Sequence, residues 1–135
     1  HRVQRAQHRH LVANPQDAVA AASDMMYLAW EELRVIFLNT KHHITGMETI
    51  FRGGLDGVEA SPREIFRQAV SRSAAAIIVV HNHPSGDPAP SPEDLAMTRR
   101  LERAGEVMGI DVLDHIIIGQ SRHMSVHHGI VTELS

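Results

Sequence analysis

The chain alternates between segments whose apolar residues recur at helical spacing and short runs that are apolar on both faces. Asn14-Pro15 joins a favoured N-cap to a proline at the first helical position, and predicts a helix over Ala-rich sequence to about Trp30. From Leu33 to Asn39 the run LRVIFLN has no polar face, which suits a covered central strand. Asn39-Thr40-Lys41 supplies a turn, and Ile44 to Phe51 a second, more polar strand. Gly53, Gly54 and Gly57 mark a loop.

Ser61-Pro62-Arg63-Glu64 has the form of a capping box and starts a helix to about Arg72. The run AAAIIVVHNH reads as a buried strand, ended by Pro84 because proline cannot extend a ladder. A loop, PSGDPAP, leads into a helix from Ser91-Pro92 to about Met108. Asp111 to Gly119 and His123 to Val126 are two closing strands. Alternating helices and strands give an α/β or α+β class with a mixed sheet.

Composition narrows the field. The 135 residues suffice for one domain, and 43% hydrophobic with 21% charged residues excludes disorder and collagen. There is no cysteine, so disulfide frameworks, thiolate zinc fingers and Cys nucleophiles are excluded. The longest apolar run, Ala74 to Val80, is too short to cross a bilayer. A formal charge of −3 lacks the footprint of a strong nucleic-acid binder. The first ten residues carry three Arg and three His without an acid, and residues 1–13 read as a lead-in to a domain over 14–135. The chain opens on His1 with no signal-peptide pattern, so the expectation is part of a longer cytoplasmic protein.

Eleven histidines are unusual, and two of them centre the chemistry. His81 and His83, two apart on a strand, project to one face while Asn82 faces away. They stand where a buried strand ends, the usual place for a ligand site in α/β folds. On the next helix Ser91 is a candidate N-cap and Asp94 falls at N3. Asp94, Met97, Leu101, Ala104 and Met108 make one stripe, so Asp94 heads the inward face, where a lone carboxylate is costly unless paired. Each feature has a plainer reading: hydrogen-bonded histidines, a helix-dipole acid, an ordinary cap. Together they favour a divalent metal. Two nitrogens and one oxygen leave a fourth position open, as in catalytic rather than structural zinc sites.

The stretch His81-Asn82-His83-Pro84, six residues, Ser91, two residues, Asp94 resembles the metal motif of the JAMM/MPN+ metallopeptidases. HNHPSGDPAPSPEDL, TRRL at Thr98 to Leu101, LDHIIIG at Leu113 to Gly119, PREIF at Pro62 to Phe66 and FLNTK at Phe37 to Lys41 resemble the RadC family more closely. The resemblance implies a three-layer mixed β-sheet flanked by helices, a JAB/MPN-like (cytidine-deaminase-like) fold. It implies one zinc per chain, held by His81, His83 and Asp94, with Ser91 stabilising the tetrahedral intermediate. It also implies an upstream glutamate as general base. The family pattern aligns best on Glu31; Glu32 projects to the other face, where substitution is expected to be close to silent. Three departures bear on the rim: Ser61 where the family usually has His, Gly53-Gly54 where it has Gly-Thr, and His123 where an aromatic is common. The helix-hairpin-helix region that such proteins usually carry upstream is expected to lie outside these 135 residues.

The leading expectation is a zinc hydrolase of a peptide or isopeptide bond in a protein substrate. The alternative is a non-catalytic zinc-binding module of a DNA repair or recombination protein. A nucleobase deaminase is disfavoured by the missing P-C-x-x-C ligands. His115, between Asp114 and an isoleucine run, is expected to be a core histidine bonded to its neighbour. His42-His43 and His127-His128 would point to opposite faces on strands, so neither pair is expected to chelate. Arg99, Arg100 and Arg103 are read as a solvated basic face.

Overall fold

The computed structural model describes residues 10–53 and 61–134, so Gly54 and Gly57 lie outside the described residues. The apolar run at Leu33 becomes β1 (Glu32–Leu38), which lies between β2 (Ile44–Arg52) and β3 (Ala76–Asn82) and is antiparallel to both. The sheet continues through β4 (Asp111–Ile118), β5 (His123–His127) and β6 (Ile130–Leu134), in the order β2-β1-β3-β4-β5-β6. Among the described residues only β3 and β4 pair in parallel, and the long α3 (Pro92–Met108) makes the crossover that parallel pairing needs. The shorter helices are α1 (Pro15–Ala21) and α2 (Pro62–Ser71).

Two cores follow from strand parity. Leu33, Val35, Phe37, Ile77 and Val79 pack with Ile65 of α2 and Leu101 of α3 on one face. Ile36, Leu38, Ile78, Val80 and Ile116 pack with Ala18 of α1 and Met25 on the other. The architecture is therefore three-layered, with β1 and β3 covered on both sides as their uninterrupted apolar runs require. Among the described residues, no helix is long and apolar enough to cross a membrane.

Three local expectations need correction. The first helix stops at Ala21, followed by a 3-10 turn over Ser23–Tyr27, rather than running to Trp30. Ser and Asp compete for backbone hydrogen bonds inside a helix, and Asp24 is drawn into a two-pronged pair with Arg34 at 2.7 Å. At Ser61 only half the capping box forms: its Oγ accepts the Glu64 N–H, while the Glu64 carboxylate turns to Arg67. The reciprocal boxes are at Asn14 with Asp17 and at Ser91 with Asp94. Finally, β6 is an additional strand. It is mostly exposed, so no burial pattern announced it; it exists because a tight turn at His128-Gly129 returns the chain onto β5.

Candidate metal centre

Register brings the site together. Leu33 of β1 lies opposite His81 of β3, so the residue two before Leu33, Glu31, is delivered to the side of the sheet that carries both histidines. Glu31 Oε2 is 3.4 Å from His81 Nε2. On the other side of that ring, Asp94 Oδ1 is 3.5 Å from His81 Nδ1, and Asp94 Oδ2 is 3.1 Å from His83 Nε2. The two imidazoles meet edge to face at 4.8 Å between centres. These groups line a cleft of about 700 Å³, bounded by Phe51, Met97 and Ser91.

Each side chain is held. The His83 Nδ1 is 3.0 Å from the Asp87 carbonyl, which can only accept, so this nitrogen carries the proton and Nε2 faces Asp94. The Asp94 carboxylate accepts the Ser91 N–H at 2.8 Å while Ser91 Oγ accepts the Asp94 N–H at 3.0 Å. Thr98 Oγ1 donates to the Asp94 carbonyl at 2.9 Å and lies 2.6 Å from His115 Nδ1. The Glu31 carbonyl accepts the Gly53 N–H, and a Cβ on Gly53 would come within 3.1 Å of the Glu31 Cβ. Glycine permits that close approach.

The electrostatics match the geometry. Burial pushes the Asp94 carboxyl up, but the His83 hydrogen bond and the His81 ring outweigh it, so it lies well below the usual range. The Asp94 hydrogen bond raises His83 above an ordinary histidine. His81 holds the Glu31 carboxyl down. His115, fully buried, is pushed down to about 3 by burial and is neutral at physiological pH. Its ring bonds to Thr98 rather than to its neighbour Asp114, which instead accepts the His115 backbone N–H at 2.8 Å.

A divalent metal fits this donor set. Among the described residues, His81 Nδ1 is buried without a hydrogen-bond partner, which is costly for an imidazole nitrogen unless a cation takes its lone pair. Glu31, His81 and His83 each offer an atom within 4.8 Å of the others, and Asp94 touches both rings.

Glu32, the other candidate base, points to the opposite side. It is buried, accepts from the Trp30 indole at 3.0 Å, and pairs with Arg34 and Arg52, both at 2.9 Å. Burial raises its carboxyl, but these partners together bring it below the usual range. Asn82, read only as facing away, has a task there. Its Oδ1 accepts the Glu32 N–H at 2.7 Å and its Nδ2 donates to the Trp30 carbonyl at 2.9 Å, pinning the segment that carries Glu31. A buried asparagine on an otherwise apolar strand was the only signal available for it. For stability, position 32 is therefore not silent: Glu32→Gln removes a buried charge that three side chains bond, and Asn82→Ala strands the buried Glu32 N–H, so each should cost about 1–3 kcal/mol in urea unfolding. Arg99, Arg100 and Arg103 line the cleft rather than facing only solvent.

A mixed sheet covered on both faces, with paired histidines ending an inner strand and an aspartate heading the next helix, defines an α/β domain with a carboxylate–imidazole centre. The profile of the RadC-like JAB domain family matches residues 12–130, and the chain belongs to that family. It is 49% identical over 119 residues to a UPF0758 protein of Moorella thermoacetica, covering 87% of this chain and 52% of the relative. A UPF0758 protein of Desulfitobacterium hafniense is 47% identical over the same shares. One of Listeria innocua is 50% identical over 113 residues, 83% of this chain and 50% of the relative. The chain thus spans about half the length of the curated relatives it matches.

Proposed function

We propose that this domain is a zinc-dependent hydrolase of the JAMM type that cleaves a peptide or isopeptide bond in a protein substrate. The observation that carries the reading is a buried imidazole nitrogen without a partner among the described residues, flanked by a second imidazole and two carboxylates in an open cleft. His81, His83 and Asp94 would hold the metal. When bound, it would supply Lewis-acid chemistry, polarising the scissile carbonyl and making water a nucleophile near neutral pH.

Glu31 is the base. It is partly exposed, and His81 keeps it ionised, so it takes a proton from the attacking water. As the carbon–nitrogen bond breaks, Glu31 hands that proton to the leaving amine. Ser91 Oγ accepts the Asp94 N–H, which leaves its own hydrogen free to meet the developing oxyanion. The arginines on the cleft wall favour acidic residues beside the scissile bond.

The test is a panel of peptides and isopeptides offered to zinc-loaded protein, with metal analysis alongside. Expected are hydrolysis that stops on chelation and returns with zinc, and loss of one zinc equivalent in His81→Ala. Zinc binding with no cleavage across the panel would overturn the hydrolase and leave a binding module. Unchanged metal content in His81→Ala would overturn the site.

A further inference from the structure

The far half of α3 carries a second convergence of ligating groups. Glu102, His127 and His128 each offer an atom within 4.8 Å of the others. On a regular strand His127 and His128 would diverge, which is why the sequence argued against chelation. The hairpin reverses that. His128 takes φ +48° and Gly129 φ +77°, forming the two-residue turn between His127 and Ile130. Leaving the extended conformation at His128 swings its ring back, and the two imidazoles lie 4.1 Å apart between centres.

Glu102 reaches them from the helix. Its Oε2 accepts the His128 N–H at 2.7 Å and lies 3.4 Å from His128 Nδ1. The Glu102 side chain is only 11% exposed, yet among the described residues its sole ion-pairing partner is that imidazole. Behind it, Asp114 is buried and bonds Ser125 Oγ at 2.7 Å; the same strand pairing that sets His115 opposite Val126 puts it next to His127. Glu102 is thus a largely buried carboxyl that, among the described residues, no arginine or lysine pairs with. A hidden carboxylate without a cation is costly.

We propose that Glu102, His127 and His128 form a second metal site, taking a borderline divalent transition ion such as zinc through two imidazole nitrogens and one carboxylate oxygen. It is distinct from the centre at His81, because Glu102 lies eight residues beyond Asp94, about 12 Å along the helix. Its effect is structural: the ion clamps the β5–β6 hairpin, including the exposed edge strand β6, onto α3. The site does not depend on the hydrolase reading.

The experiment is zinc titration of the tag-free, chelator-stripped chain, scored by calorimetry and by metal analysis after gel filtration. Wild type should take up about two equivalents. Glu102→Gln, His127→Ala and His128→Asn should each take up about one, and combining any of them with His81→Ala should leave none. His128→Asn is the safeguard against misfolding, since asparagine accepts positive φ and keeps the turn. In wild type the second equivalent should raise the melting temperature; in His128→Asn it should not. Uptake of a single equivalent that all three variants retain would overturn the proposal. A wild type that binds one equivalent, lost in these variants but kept in His81→Ala, would uphold it while overturning the metal at His81.

Discussion

Glu31→Gln is expected to keep the zinc content and melting temperature of wild type while turnover falls by about 10²–10⁴-fold. Glutamine keeps the shape and polarity of the side chain but cannot accept a proton. The location supports a selective effect, because Glu31 is partly exposed, touches His81 Nε2 at 3.4 Å and carries no ion pair with an arginine or lysine among the described residues. The structure also supplies the competing outcome. Glu31, His81 and His83 are close enough to share one ion. If Glu31→Gln loses metal and activity in parallel, Glu31 is a ligand, and the base must be sought elsewhere in the cleft. Single-turnover rates measured beside metal analysis separate the two. Glu32→Gln is the control with the opposite signature: it should lose stability because its buried carboxylate bonds Arg34, Arg52 and Trp30, with the metal retained.

Asp94→Asn is expected to keep the fold and weaken zinc by more than the 10–100-fold that removing a mere outer partner costs. Asparagine at N3 can still accept the Ser91 N–H through its amide oxygen, and the Ser91 hydroxyl still caps the Asp94 backbone, so the start of α3 survives. What disappears is the charge that faces both imidazoles. The metal-free proteins carry a pH signature of the same pair. Asp94 is depressed below its ordinary 3.8, so its contribution is present above that value and lost as pH falls. His83 is raised above its ordinary 6.5, so its contribution is present below that value and lost as pH rises. Wild type without metal should therefore hold an advantage over Asp94→Asn that is largest between about pH 4 and 6.5. A difference in unfolding free energy that stays flat across this window would show that the pair does not carry the charge assigned to it.

Much of this was legible in the residues themselves. Proline and serine at the head of α3, with aspartate at N3, declare the helix start and its N-cap, because those preferences are local properties of the backbone. The runs around Leu33 and Ile77 declare strands buried on both faces, since only a covered sheet accommodates an unbroken apolar run. The alternation of a strand alone puts His81 and His83 on one side and Asn82 on the other. Where local signals were weak, the reading strayed. Ser23-Asp24 ended the first helix because a partner ten residues away, Arg34, claimed the aspartate. No propensity contains that.

Three further matters were decided only by the tertiary structure. Glu31 and Glu32 have nearly the same sequence surroundings. Only the antiparallel register of β1 on β3 sends one to the histidines and buries the other beneath Arg34 and Arg52. The helix wheel could aim Asp94 inward, but the closing of α3 over β3 set it between two imidazoles. His127 and His128 looked unable to cooperate on a strand, until a left-handed turn residue and a glutamate from the helix brought them together. The dividing line is physical. Caps, periods and strand faces depend on neighbours within a few residues, so the sequence by itself determined them. Register, crossover and turn handedness bring together groups fifty residues apart, as with Glu31 and His81. Those are fixed only when the whole core closes.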